Sequence, residues 1–151
     1  MLLVNDVKLT ATAAFRLGVV GSRVAGRFAD LLAERDLKTK HAGLLAVLDS
    51  MTAGGAASQL DVAKLMGVAP SLVVALADHL ESLGAVSRER DPADRRRQLL
   101  ALTPAGRALL EECAALANGV DEDLLAHLPR KDRDTFLRVL ARLAAAEGLP
   151  A

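Results

Sequence analysis

The chain of 151 residues has no tryptophan, no tyrosine and three phenylalanines. A base-stacking surface for single strands needs aromatic faces, so that class of binder is disfavoured and aliphatic side chains must build the core. A single cysteine cannot close an internal disulfide, which fits a reducing cytosol. Neither sign of charge is in excess, with 19 basic and 19 acidic residues. That argues against a non-specific polycation and leaves a local basic patch open. No apolar run approaches the roughly 20 residues of a membrane span. Met1-Leu2-Leu3-Val4 is cut short by Asn5-Asp6, too soon for a signal-peptide core. A soluble, cytoplasmic protein with no membrane partner is expected. There is no Gly-rich phosphate loop, no nucleophile elbow and no carboxylate pair set in an apolar pocket. Gly18/Gly21 and Gly54-Gly55 have no strand–helix context for a dinucleotide fingerprint. His41, His79 and His127 are far apart, and no cluster has metal-ligand spacing. The expectation is a non-enzyme with no metal and no cofactor.

The apolar residues that are present, 52% of the chain, fall mostly at helical spacing. From about Lys8 to Glu34, Leu17, Val20, Val24, Phe28 and Leu31 step by three or four, with Arg16, Arg23 and Arg27 on other faces. Leu37-Lys38-Thr39 interrupts this helix. A second follows, with His41, Leu44, Leu45, Leu48 and Met51 on one stripe, ending at Gly54-Gly55. Ser58 is placed to cap a short helix, Gln59 to Met66, with Asp61 three residues on. Gly67 stops it, and Pro70 suits the first position of the next helix, which runs to about Leu83 and ends at Gly84. Two short helices joined by a Gly-containing turn read as a helix-turn-helix. Thr103-Pro104 starts another helix with a seam of Leu102, Leu109, Cys113, Leu116 and Val120. Asp121-Glu122-Asp123 reads as a further helix start, where acids suit the dipole. A last helix begins near Pro129, with Phe136, Leu137, Leu140 and Leu143 as its apolar face.

Between Val86-Ser87-Arg88 and Leu99-Leu100-Ala101-Leu102 lies Asp91-Pro92-Ala93-Asp94-Arg95-Arg96-Arg97. Pro92 and the aspartates mark a turn, and the flanks read as short strands. From Arg88 to Arg97 five arginines face three acids, a net +2 in a neutral chain. A hairpin with a guanidinium tip suits the narrow, negative minor groove of DNA. The fold class is therefore mostly α with a small β-hairpin wing: a winged helix-turn-helix flanked by long helices at both ends. Residues 37–106 form the helix-turn-helix lobe, and residues 1–36 and 107–151 the dimerisation helices of a single compact domain. The end helices carry more apolar surface than so small a lobe covers, which predicts a two-fold homodimer on a pseudo-palindromic duplex, its half-sites one turn apart.

The order of elements resembles the MarR family of transcriptional regulators. The resemblance covers about Leu37 to Gly106 and is weaker in the end helices. Its most specific part is Asp94-Arg95-Arg96 followed by Leu102-Thr103-Pro104-Ala105-Gly106, similar to the family's wing signature; Leu80-Glu81-Ser82-Leu83-Gly84-Ala85-Val86 resembles the recognition-helix exit. The resemblance implies that Arg96 enters the minor groove, that Asp94 shapes the wing through ion pairing, and that Pro70–Leu83 lies in the major groove. It also implies that the terminal helices make the dimer and that a small effector releases DNA, as from a repressor.

Candidate DNA-binding residues are Pro70, Ser71, Leu72, Val74, Ala75, His79, Arg95, Arg96 and Arg97, with Asp94 structuring the wing. On the recognition helix Leu72, Val73, Leu76, Leu80 and Leu83 read as buried, and Ser71, Val74, Ala75, Asp78 and Ser82 as outer. Val74 and Ala75 stand where relatives carry polar or cationic residues, and His79 where Arg is frequent. Apolar contacts read a thymine methyl but form no base hydrogen bonds. This departure keeps an alternative in play, a degenerate winged-helix dimerisation or protein-interaction module with little DNA binding. Arg97 has a second reading as a partner of Asp94. Cys113, on an apolar seam with no His or second Cys nearby, reads as a small hydrophobe rather than a redox sensor. Arg16 and His41 are candidates for holding a small apolar or aromatic effector; a structural His and a solvated Arg face are the competing readings.

Overall fold

Single residues set most of the element boundaries. The computed structural model describes residues 8–52 and 55–148; the opening Met1–Asp6 run and Gly54 lie outside them. The expected helix from Lys8 to Glu34 is broken once. Leu9–Ala11 form a 3-10 turn, Thr12 takes an extended conformation, and its side chain accepts the Phe15 N–H. Helix α1 therefore starts at the threonine cap and spans Ala13–Ala33. Asp36 adopts a left-handed conformation (φ 56°) and turns the chain into α2, Thr39–Thr52. His41, Leu44, Leu45 and Leu48 of α2 are buried as the stripe predicts, but Met51, one turn on, is exposed.

The helix-turn-helix follows. The Ser58 hydroxyl accepts the Asp61 N–H at the start of α3 (Gln59–Met66) and donates to the Asp61 carboxylate at 2.7 Å. Gly67 closes α3 in the left-handed region (φ 64°), and Pro70 opens α4, Pro70–Ser82. The axes of α3 and α4 bend by 110°, within the range of this motif. Val73, Leu76, Ala77 and Leu80 are the buried face of α4. Leu72 is only half-buried. Leu83 is 42% exposed, because the helix has already ended there and Gly84 (φ 70°) turns the chain away.

The hairpin strands are β2, Val86–Arg90, and β3, Gln98–Leu102, antiparallel from Val86↔Leu102 to Arg90↔Gln98. A third strand, β1, is only Ala57–Ser58 and pairs with the other edge of β3, giving the order β1-β3-β2. Helix α5 runs Pro104–Leu125, so Asp121-Glu122-Asp123 lies inside a continuous helix rather than starting one. The seam holds, with Cys113 and Val120 buried and Leu109 and Leu116 half-buried. Helix α6, Arg130–Ala146, begins at Pro129.

The fold divides into two compact units, up to Ala117 and from Asn118. The first is centred on buried Leu32, Leu44, Leu45, Leu48, Val62, Val73, Leu80 and Leu100, with Cys113 at its edge. Apolar residues on α1 stay uncovered, among them Leu17 at 51% exposure. On α6 Leu137, Leu140 and Leu143 are exposed and Phe136 is half-buried. No single helix among the described residues is long and apolar enough to cross a membrane.

Candidate nucleic-acid interface

Residues 91–97 are held in shape by their own backbone and by two aspartates. The Asp91 amide donates to the Arg97 carbonyl (3.0 Å) and the Arg97 amide to the Asp94 carbonyl (2.8 Å). The Asp91 carboxylate accepts the Ala93 N–H at 2.8 Å, and the Asp94 carboxylate the Arg96 N–H at 3.0 Å. These are Asx turns, in which a short carboxylate replaces a backbone acceptor. Asp94 thus acts on a backbone amide; among the described residues it makes no ion pair.

The three tip arginines differ. The Arg97 guanidinium reaches back to the Asp61 carboxylate (3.2 Å) and ties the wing to the cap of α3; the pairing with Asp94 is confined to backbone atoms. The Ser58 hydroxyl has the largest influence and holds the Asp61 carboxyl below its ordinary pKa; burial, next in size, opposes it, and the Arg97 and Lys64 charges add to the lowering. Arg95 and Arg96 are exposed and have no ion-pair partner among the described residues. Arg96 and Arg97 also border a groove of about 400 Å³, closed by Gln59, Leu60, Pro70 and Val74. The helix-turn-helix and the wing base thus share one concave face.

On α4, Pro70, Ser71, Val74, Ala75 and Asp78 are exposed. Ser71, Val74, Ala75 and Asp78 share a stripe by the three-and-four rule. The other two proposed contacts on this helix are placed differently. Leu72 packs against the core. The His79 ring turns toward the α1–α2 turn, where it stacks on His41 (centroids 4.5 Å apart, 20° between planes) and its Nε2 donates to the Asp36 carbonyl at 2.6 Å.

His41 Nδ1 accepts the Lys38 N–H at 2.9 Å, so this ring caps α2 from within. Burial, then the neighbouring His79 and Lys38, lower its pKa; Asp36 opposes them. Both imidazoles border a second cavity, of about 650 Å³, with Lys38, Lys40, Leu72 and Ala75. Arg16 does not border it. Its Nε donates to the Thr10 carbonyl (3.0 Å), about 25 Å along the helix from the cavity end of α1.

Sequence reasoning missed Arg88. From β2 its Nη1 contacts Asp78 Oδ1 (2.5 Å) and Glu81 Oε2 (3.0 Å), and its Nη2 donates to the Val74 carbonyl (3.0 Å). The guanidinium is thereby committed to α4. Only the adjacency of a strand arginine to two helix acids could have signalled it. Burial, helped by Glu112, raises the Cys113 thiol pKa, which leaves it a core residue. No cluster of three or more His, Cys, Asp or Glu that could hold a metal occurs among the described residues.

Residues 35–97 match the sequence profile of the MarR family. The transcriptional regulator HosA of Escherichia coli O111:H- is 33% identical over 67 residues, 44% of this chain and 50% of that one. The match thus spans half the length of that curated relative. Among solved structures, a MarR-family transcriptional regulator from Rhodococcus sp. RHA1 is 28% identical, with TM-score 0.74 over 92% of this chain and 96% of that one. CouR from Rhodococcus jostii RHA1, solved bound to p-coumaroyl-CoA, is 29% identical, with TM-score 0.70 over 92% and 96%. The profile match over the helix-turn-helix and wing, and a fold shared along nine tenths of the chain, make this chain similar to the MarR family.

Proposed function

We propose that the chain is a homodimeric, DNA-binding transcriptional regulator of the cytoplasm, acting as a repressor that a small molecule releases. The observation that carries this reading is the shared concave face. Pro70 and Val74 of α4 and Arg96 of the wing border one groove, with the exposed Arg95 next to Arg96 in the chain. In a major groove, Ser71 offers a hydroxyl and Val74 and Ala75 apolar contacts for thymine methyls. Arg96 reaches the adjacent minor groove, where negative potential favours guanidinium. The uncovered apolar residues of α1 and of α6 support a second copy of the chain as partner.

The cavity at His41 and His79 supports the effector. Leu72 and Ala75 give it apolar wall, while Lys38, Lys40 and the imidazoles give it cationic and hydrogen-bonding wall. An aromatic molecule with an anionic end fits that chemistry, and the ligand in the CouR structure is an aromatic acyl thioester with anionic phosphates. Because α4 forms one side of the cavity, an occupant there would shift the recognition helix. Arg16 has no place in this site within one protomer.

A second reading, a dimerisation module with little affinity for DNA, has the exposed Val74–Ala75 pair in its favour. Fluorescence anisotropy with duplex DNA from upstream of the gene, together with sedimentation, separates the two. The regulator reading expects a dimer and a specific complex that weakens steeply with salt. A dimer with no specific complex at low salt supports the module.

A further inference from the structure

The outer stripe of α4 is poor in hydrogen-bonding groups: two serines, Ser71 and Ser82, with Val74, Ala75 and Asp78. Asp78 is the carboxylate at its centre, and Glu81 stands at its rim. The Asp78 side chain is 60% exposed, yet one oxygen is fixed by Arg88 at 2.5 Å. Arg88 is itself immobilised. It is only 19% exposed, its Nη1 also meets Glu81, its Nη2 holds the Val74 carbonyl, and its Nε is buried. The arrangement holds one aspartate rotamer on the outward face through Oδ1, and Oδ2 has no hydrogen-bond or ion-pair partner among the described residues.

An unpaired carboxylate facing a polyanion would only repel it. A carboxylate held in one orientation by a guanidinium, its charge partly offset, has a different use. It accepts hydrogen bonds and donates none, so it suits a base edge that presents an amine with no acceptor beside it on the same base. In the major groove, cytosine presents its N4 amine in that way. Adenine places its N7 acceptor beside the N6 amine, and guanine and thymine present acceptors there.

We propose that Asp78 is the sequence-reading acceptor of the recognition helix, that it selects cytosine at one position of each half-site, and that Arg88 is the positioning residue that aims it. This rests on the DNA-binding reading of the preceding subsection. Sequence choice is then divided between thymine methyls at Val74 and Ala75 and one exocyclic amine at Asp78.

The test is selection of bound sequences from a random duplex library by the full-length protein and by the Asp78→Ala, Arg88→Met and Arg88→Lys variants, each checked for folding by circular dichroism. The wild type should enrich a motif with cytosine at one position per half-site, favoured roughly tenfold over other bases. Asp78→Ala should flatten that position and leave the rest of the motif intact. Arg88→Met should flatten the same position, and Arg88→Lys should restore part of it. If Asp78→Ala enriches the wild-type motif unchanged, the proposal is overturned while DNA binding stands. If the wild type enriches no motif, the DNA-binding reading itself fails. If Arg88→Met unfolds, the Asp78→Ala motif decides the assignment of Asp78, and an Arg88→Lys motif with the cytosine preference undiminished overturns the positioning role. An Arg88→Met motif that keeps the cytosine overturns the positioning role.

Discussion

Gly106→Ala should destabilise this protein although it places the best helix former in a helix. Gly106 lies in the first turn of α5, where its amide donates to the Thr103 hydroxyl at 3.0 Å. That hydroxyl donates in turn to the Gly84 carbonyl at 2.6 Å. A Cβ on Gly106 would collide with the Ala85 carbonyl oxygen and sit 2.9 Å from its carbon and 3.2 Å from Leu102 Cδ2. The obstacle is backbone, and the same carbonyl accepts the Thr103 N–H at 3.1 Å. Overpacking costs about 1–3 kcal/mol, and an obstacle that cannot rotate away puts this site at the upper end. Displacing the hydrogen-bonded carbonyl adds about 1 kcal/mol, while the helix preference for Ala over Gly returns about 1 kcal/mol. The net expectation is a loss of about 3 kcal/mol. Gly43→Ala in α2 is the control, since its Cβ would meet only Met66 Cε at 3.9 Å. That change should stabilise by about 0.5–1 kcal/mol. Urea unfolding at fixed protein concentration reads both. Equal shifts of the same sign for the two variants would refute the assigned close approach of α5 to the Ala85 backbone just before β2.

Ser58→Ala removes the cap of α3 and should cost about 1 kcal/mol in the same unfolding assay; an unchanged midpoint would show the cap to be idle. The pH dependence follows from His41, whose pKa is lowered in the fold. The unfolded chain then binds the proton more readily, so stability is full above the ordinary histidine value of about 6.5 and falls as pH drops through it. His41→Gln, which keeps an acceptor for the Lys38 amide, should flatten that decline, and an equally steep decline in the variant would contradict it. The Cys113 thiol, buried and with its pKa raised, should be inert to a thiol reagent at neutral pH in the native chain and reactive in urea. Rapid native labelling would refute its placement in the core.

The helix-turn-helix was legible because its boundaries rest on local chemistry: a serine cap, a left-handed glycine and a proline at the first helical position. The Leu-Thr-x-x-Gly segment was legible as a pattern, and the structure supplies its cause in Thr103 and the missing Cβ of Gly106. What escaped depends on partners distant in sequence. Strand β1 is two residues that count as a strand only because β3 lies alongside. His79 sits between the inner and outer faces of α4, so its direction is decided by Asp36 and His41 and not by its own helix. Arg88 was counted with the wing charges, yet it spends its guanidinium on Asp78 and Glu81. The acids at 121–123 imitate a helix start, but no breaker precedes them and α5 runs on.

The central claim is that the wing arginines insert into duplex DNA while α4 occupies the groove beside them. The most direct measurement is the salt dependence of duplex binding by the wild type and by Arg96→Ala. With two or three contacts from each wing of a dimer, the wings alone should give a log–log slope of about −4 to −5. Arg96→Ala should weaken binding and make the slope shallower by about 2, one contact from each protomer. Unchanged affinity and slope in the variant would contradict the account.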